Sequence, residues 1–307
     1  MQKAPPTPKG FRDINPDLAK KRRWVINQIV EVLEDFGFIP IETPIIEFAD
    51  TLKGKYGEEE KLIYEFEDRG GRDLALRYDL TVPLARYVAT YNPPLPFRRY
   101  QIGQVFRGEN PQHGRYREFT QLDFDTVGSD DLEEDAKIIA AALKATKTVG
   151  LKNPQIAIND RKNFEGLKKE VVIALDKLEK IGEGNVIDEL TQKGFSKTDA
   201  NTILQNIRNK IPTDNLKSIF NFFEDLGVNK NEYSFNPLLA RGLDYYTGAI
   251  FELKVPSYGN LSIGSGGRYN NLIGMFSKPP AGGQIPAVGF SFGLDRLIEA
   301  ISPQSAL

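Results

Sequence analysis

The stretch FRGENPQHGRYREFTQLDFD, residues 106–125, decides how this chain reads. It joins the arms FRRYQIGQVFRGE (97–109) and RYREFTQLDFDTV (115–127) of a long hairpin. Side chains alternate faces along a strand, so Gln121, Asp123 and Asp125 share one face while Leu122 and Phe124 share the other. Water on the polar side is the plain explanation of such a row. Here, however, the row is rich in acceptors and has no intervening lysine, and Arg107, Arg115 and Arg117 stand at the base and mouth of the hairpin. Glu109 follows Arg107 by two residues and so shares its face. A guanidinium fork matches phosphate or carboxylate with two bonds, so Arg107 with Arg115 or Arg117 predicts an anion clamp. The turn NPQHGRYR is long, basic and glycine-containing, which suits a flap over a phosphate.

Outward from the hairpin, residues 1–16 are proline-rich and read as extended. Between Asp17 and Phe36, the residues Val25, Ile29, Val32, Leu33 and Phe36 recur at helical spacing, and Gly37 supplies a stop. FIPIETPIIEF (38–48) reads as a strand broken by two prolines, which belongs at a sheet edge or an interface. YEFEDRGGRDLALRY (64–78) predicts a hairpin at Gly70-Gly71, and LTVPLARYVATY (80–91) a helix. DLEEDAKIIAAALKATKTVG (131–150) predicts an amphipathic helix and NPQIAIND (153–160) a short strand. From 161 to 235 the text becomes Lys/Glu-rich and helical with glycine breaks, including a helix start at Ser196 to Asp199, and predicts a small insertion. Strand text returns in ARGLDYYTGAIFELKV (240–255) and YGNLSIGSGGRYNNLIGMF (258–276). PAVGFSFGLDRLIEAI (286–301) predicts a buried strand entering a helix. Hairpin-joined strands with helices between their groups predict an α+β fold on an antiparallel sheet.

Composition narrows the chemistry. The 307 residues, 40% hydrophobic and 27% charged, suit one large domain or a main domain with an inserted smaller one. A net charge of −2 argues against bulk polyanion binding but leaves a local phosphate site open. Without cysteine there are no disulfides, thiolate metal sites or thiol nucleophiles. The single histidine, His113, argues against a Ser-His-Asp triad or a histidine-based metal site. No apolar run approaches membrane-spanning length, and MQKAPPTPKG lacks a signal peptide's apolar core, so a soluble, cytoplasmic protein is expected.

Further segments can carry chemistry. LRYDLT (76–81) sets Asp79 and Thr81 where a strand enters a helix. A helix cap is the plain reading of Asp79. With Gln121 and Asp125 it would instead form a pocket for an ammonium or imidazole. In ARGLDYYTGAIFE, Arg241 opens a strand carrying Tyr245 and Tyr246, which would face opposite ways; an aromatic pair flanking a bend is the alternative. GSGGRYNNL (264–272) reads as a glycine-rich turn open to a ligand, without a Walker lysine or a dinucleotide G-x-G-x-x-G spacing. Arg296 in FSFGLDRL falls in the first turn of a helix, where a buried cation needs an anion.

Taken in order, Pro44 in ETPIIE, Arg107 in FRGE followed by REFTQLDFD, and Arg296 in GLDRL resemble the three motifs of class II aminoacyl-tRNA synthetases. RGLDYYTG with GGRYNNL resembles the two signatures of the histidyl-tRNA synthetase family. LRYDLTVPLARY and GKYGEEEKLIYEF resemble its eukaryotic and archaeal branch. The resemblance covers essentially the whole chain, least securely 161–235. It implies a class II synthetase-like antiparallel sheet flanked by helices, built from 1–160 and 236–307, with 161–235 as an inserted helical module. The implied activity is formation of histidyl-adenylate from L-histidine and ATP with Mg²⁺, then transfer to the acceptor end of tRNA(His). A homodimer formed through the Pro44 region is implied as well.

By the same resemblance, Arg107 holds the histidine carboxylate and the ATP α-phosphate. Glu109, Arg115 and Phe119 seat ATP, Phe119 against the adenine, and Arg296 grips the outer phosphates. Asp79, Thr81 and Gln121 bind the α-ammonium, with Leu80 beside them in the histidine site. Asp125 and Tyr246 read the imidazole nitrogens, and Tyr245 and Tyr269 line that pocket. Arg241, also at the histidine site, is the catalytic arginine by the α-phosphate, where other class II enzymes place a metal. No protein ligand to a metal is implied; Mg²⁺ arrives on ATP. Attack of a carboxylate on phosphorus joins two anions, so fixed cations lower the barrier and no base is needed.

Two departures stand out. Asn270 occupies the position where the family reads GGRYD, and a neutral amide can still hydrogen bond there. Family members continue past the third motif into an α/β domain that reads the anticodon, whereas this sequence stops at Leu307, so that domain is expected to be absent. This raises the regulatory subunit of ATP phosphoribosyltransferase, a paralogue that lacks the same domain and does not activate histidine. Such paralogues tend to lose the arginines that act on ATP, and Arg107, Arg241 and Arg296 all stand here. A tRNA-sensing pseudo-synthetase meets the same objection.

Overall fold

The computed structural model describes residues 5–242, 245–276 and 283–301. Helix α1 (Pro16–Asp35) leads into strands β1 (Ile39–Pro40) and β2 (Ile46–Phe48), helix α2 (Ala49–Leu52), strands β3 (Glu65–Glu67) and β4 (Asp73–Leu76), and helix α3 (Thr81–Tyr91). The long hairpin β5 (Phe97–Phe106) and β6 (Glu118–Val127) follows, then α4 (Leu132–Thr148) and β7 (Gln155–Asp160). Helices α5 (Lys169–Asp176), α6 (Leu178–Ile181), α7 (Glu183–Gln192), α8 (Lys197–Arg208) and α9 (Asp214–Phe222) precede β8 (Tyr233–Phe235) and β9 (Ala249–Lys254). Strands β10 (Gly264–Arg268) and β11 (Ala287–Gly293) and helix α10 (Leu294–Ala300) close the described chain.

One eight-stranded sheet runs β1-β5-β6-β11-β10-β9-β7-β8, and β2-β4-β3 form a smaller sheet. The inner strands of the large sheet pair antiparallel, as expected, whereas the edge strands β1 and β8 join parallel. A parallel neighbour needs a crossover, and long connections separate β1 from β5 and β7 from β8. The proline-broken stretch 38–48 is shared between the two sheets: Ile39 and Pro40 sit at the rim of the large one, and Ile46–Phe48 pair with β4. Ile39, Ile45, Ile46 and Phe48 are left exposed.

The alternation read in 118–127 sorts the two faces of the sheet. Leu122 and Phe124 enter the core beneath α1 and α4, where Phe124 meets Phe38 edge-on at 5.4 Å. Burying each such side chain stabilises the fold by about 1.5–3 kcal/mol. Helix α1 begins on Asn15, whose side chain accepts from Leu18 N–H at 2.9 Å, and ends before Gly37 at φ +82°. Helix α9 adds Leu216 and Ile219 to this same core and β8 joins the sheet, so packing ties the end of the 161–235 segment to the main body.

Two expectations need correction. The glycine run at 264 is not a turn but the strand β10, squeezed between β9 and β11. A Cβ at Gly266 would lie 2.1 Å from the Gly289 carbonyl oxygen, and one at Gly267 2.6 Å from that of Ala249. Absent side chains let the strands close up and leave bare backbone on the polar face. Within 240–255, only Ala249 onward is strand; β7 ends at Asp160 opposite Ala249, so the ladder has no partner further back. Arg241, Tyr245 and Tyr246 therefore lie in an irregular segment where strand alternation does not apply. Leu243 and Asp244 of that motif, residues 1–4 of the amino-terminal stretch and the terminal Leu307 lie outside the described residues.

Candidate active site

A cavity of about 850 Å³ opens on the polar face of the sheet. Gln121, Asp123 and Asp125 lie along it, none more than 8% exposed. Asp79 Oδ2, Gln121 Oε1, Asp123 Oδ1 and Asp125 Oδ2 are buried with no hydrogen-bond partner. Buried polar atoms are almost always paired, so Asp79 Oδ2, Gln121 Oε1 and Asp123 Oδ1, which have no partner among the described residues, mark a ligand rich in donors on this cavity.

The two readings of Asp79 coexist. Its Oδ1 accepts from Val82 N–H at 3.1 Å at the head of α3 and from the Tyr56 hydroxyl at 2.9 Å, while Oδ2 stays open. Thr81 lies beside Tyr245, and the Leu80 carbonyl accepts from Arg99 at 3.3 Å. Asp125 accepts from the Tyr269 hydroxyl and forms an ion pair with fully buried Arg99, Oδ2 to Nη2 2.7 Å, though without hydrogen-bond alignment. Room for it exists only because residue 289 is glycine: a Cβ there would sit 1.8 Å from Asp125 Oδ1. Tyr245 packs on Tyr246 at 4.9 Å and on Tyr269 at 5.9 Å, walling the imidazole side expected from the sequence.

Burial pushes the carboxyls of Asp79, Asp123 and Asp125 upward, with Arg99 opposing at the latter two. Asp123 is pushed up to about 7. Such an acid binds more protons folded than unfolded between its ordinary 3.8 and about 7, so folded stability falls as pH rises through that window. Asp123→Asn should therefore melt several degrees above the wild type at pH 8, with the gap closing towards pH 4. Thermal melts across pH check this, and a pH-independent gap would refute the assignment.

The other end of the cavity gathers cations. Arg107 donates to the Tyr78 carbonyl at 3.2 Å and lies over the Tyr78 and Phe119 rings at 4.2 and 5.1 Å. Arg115 pairs with Glu109 at 3.2 Å. Arg296 donates to the carbonyls of Gly114 at 2.7 Å and Ser262 at 3.1 Å. Burial, and then the nearby Arg115, pushes the Arg296 guanidinium downward, as expected of cations gathered at an anion site. Arg241 also lines the cavity, its Nε buried without a partner and its Nη1 3.9 Å from Glu252. Arg117, the alternative clamp partner, does not line the cavity: it donates to the Glu109 carbonyl and packs against Gly10. Asn270 links Asp130 to the Ala287 N–H, a supporting role within reach of a neutral amide.

Several contributors were not singled out from sequence. Arg99 stands opposite Asp125 in the hairpin register, a pairing that counting along the two arms would have found. Tyr56 and Ser291 carry no local signal. Asp295 accepts from Arg12, from Arg22 at 2.5 Å and from Thr120 N–H at 2.9 Å, fixing the start of α10 beside Arg296. Arg12 also covers the Tyr116 ring of the flap at 3.6 Å.

A profile of the histidyl-tRNA synthetase family matches residues 10–197 and 185–297. This chain belongs to the histidyl-tRNA synthetase family. The histidine–tRNA ligase of Aeropyrum pernix is 39% identical over 331 residues, spanning 96% of this chain and 74% of that protein. The solved histidyl-tRNA synthetase of Nostoc superposes with a TM-score of 0.80 at 30% identity, covering 98% of this chain and 76% of that one. An ATP phosphoribosyltransferase regulatory subunit/histidyl-tRNA synthetase from Bacillus halodurans gives 0.81 at 24% identity, covering 98% and 84%, and shares the fold. The sheet of this histidyl-tRNA synthetase family member thus carries its acceptor row and its arginines at two ends of one cavity. No described helix is long and apolar enough to cross a membrane.

Proposed function

We propose that the chain activates histidine with ATP and transfers it to the acceptor end of tRNA(His), as a histidine–tRNA ligase. The observation that carries this reading is the row of acceptors without partners beside a cluster of guanidinium groups, one suited to an amino acid's donors and the other to its carboxylate and a triphosphate. In this reading Asp79, Thr81 and Gln121 receive the α-ammonium, with Leu80 alongside, and Asp125 and Tyr246 read the imidazole between Tyr245 and Tyr269. Arg107 spans carboxylate and α-phosphate, Glu109, Arg115 and Phe119 seat the nucleotide, and Arg296 exchanges carbonyls for outer phosphates. Arg241 stabilises charge at the reacting phosphorus.

Among the described residues no group of three or more His, Asp or Glu is placed to hold a metal. By the family resemblance Mg²⁺ is assigned to the nucleotide's phosphates, where it would supply further positive charge. We assign 1–160 and 236–307 to the catalytic core and 161–235 to the inserted module, and place the protein in the cytoplasm.

Histidine-dependent ATP–pyrophosphate exchange, with other amino acids as controls, tests the activity. Exchange with histidine alone is expected; a folded chain that binds histidine without exchange would shift the reading to the regulatory paralogue. The exposed Ile45, Ile46 and Phe48 suit the proposed homodimer face. Ile46→Asp with Phe48→Asp should convert a dimer to a monomer in sedimentation, whereas an unchanged mass would remove this face from the interface.

A further inference from the structure

We propose that Asp123, acting through Ser291, decides which end of the Gln121 amide faces the cavity and thereby sets selection for a ligand's α-ammonium. This rests on the histidine reading above. Ser291 on β11 pairs in register with Asp123 on β6, and Gln121 lies two residues along the same strand. Gln121 Nε2 donates to Ser291 Oγ at 2.9 Å, and the register sets the Ser291 hydroxyl beside the Asp123 carboxyl, close enough to offer it a proton. A hydroxyl has one proton to give and lone pairs to receive, whereas Asp123, ionised above about pH 7, then only accepts. Asp123 therefore takes the Ser291 proton, Ser291 takes the Gln121 amide N–H, and Gln121 Oε1 is turned out. That oxygen is one of the buried acceptors without a protein partner.

The two ends of a primary amide are nearly alike in shape, so hydrogen-bond polarity rather than packing chooses its orientation. Asparagine at 123 would reverse the relay. Its amide can donate to Ser291 Oγ, which frees the hydroxyl proton for Gln121 Oε1 and turns the Gln121 NH₂ towards the ligand. Donors would then meet the donors of an ammonium. Asp123 is thus a positioning residue, with selectivity expressed at Gln121.

The test compares L-histidine with 3-(imidazol-4-yl)propionate, which keeps the ring and the carboxylate but lacks the ammonium. Calorimetry at pH 8 on the wild type, Asp123→Asn and Ser291→Ala gives the ratio of the two affinities, and thermal melts check folding. Both variants should lower the histidine preference by about 10-fold or more, the range of a hydrogen bond to a charged group, while affinity for the analogue stays within about twofold. Equal weakening of both ligands would make Asp123 merely structural and overturn the proposal. An unchanged preference in Ser291→Ala would overturn it too, since direct contact of Asp123 with the ammonium needs no serine. A wild-type chain that binds neither ligand would instead overturn the histidine reading itself.

Discussion

Replacing Arg241 with alanine should slow adenylate formation by about 10²–10³-fold, the range found when one preorganised charge-stabilising donor is removed, while histidine affinity changes only a few-fold. The asymmetry follows from where the contacts lie. In the proposed reading histidine is held through its ammonium by Asp79 and Gln121 and through its ring by Asp125, with Arg107 on its carboxylate. Arg241 adds most when the carboxylate oxygen joins phosphorus and negative charge gathers on the pentavalent centre. Among the described residues its buried Nε has no hydrogen-bond partner and its Nη1 makes only a 3.9 Å ion pair with Glu252, so little of the guanidinium is taken up by structural bonds. Single-turnover measurement of adenylate alongside calorimetry for histidine separates the two effects. Equal losses in both would leave Arg241 a binding residue. Arg241→Lys should fall between, because lysine keeps the charge but loses the fork.

The second large effect is expected at Asp125. Asp125→Asn keeps the shape but removes the charge that faces Arg99, which is fully buried and has its other oxygen contacts only to backbone carbonyls. Truncating one member of a buried charged pair costs about 2–5 kcal/mol in binding, so histidine affinity should fall by about 10²-fold or more. Discrimination against other amino acids should relax at the same time, because the ring nitrogens lose the group that reads them. Exchange assays across the amino acids decide this, and full retention of histidine selectivity would refute the role. A lower melting temperature is expected too, since Arg99 keeps its burial and loses its counter-ion.

Much of this was legible in sequence because period-2 alternation is local. The face carrying Gln121, Asp123 and Asp125 could be read from 118–127 alone, and the arginines announced an anion before any strand was placed. What was not legible depended on neighbours across the sheet. Whether GSGGR turns or runs straight is decided by β9 and β11, which accept a strand without side chains between them. Tyr245 and Tyr246 looked alternating because the text fits a strand; the pairing partner ends at Asp160, and the chain leaves the sheet there. Ser291 is an ordinary strand residue until register places it between Asp123 and Gln121. The choice between Arg115 and Arg117 turned on the amino-terminal segment, where the Gly10 carbonyl takes the Arg117 backbone N–H at 2.9 Å while the guanidinium turns to the Glu109 carbonyl at 3.0 Å.

That amino-terminal segment has a practical consequence. Arg12 ties the flap, through Tyr116, to Asp295, the neighbour of Arg296, and Gly10 crosses close enough that a Cβ would lie 2.7 Å from Arg117. Trimming the first dozen residues, or fusing a tag that pulls them away, would leave the sheet and its core untouched. The engineered protein would fold, melt normally and take up histidine, yet would saturate poorly with ATP.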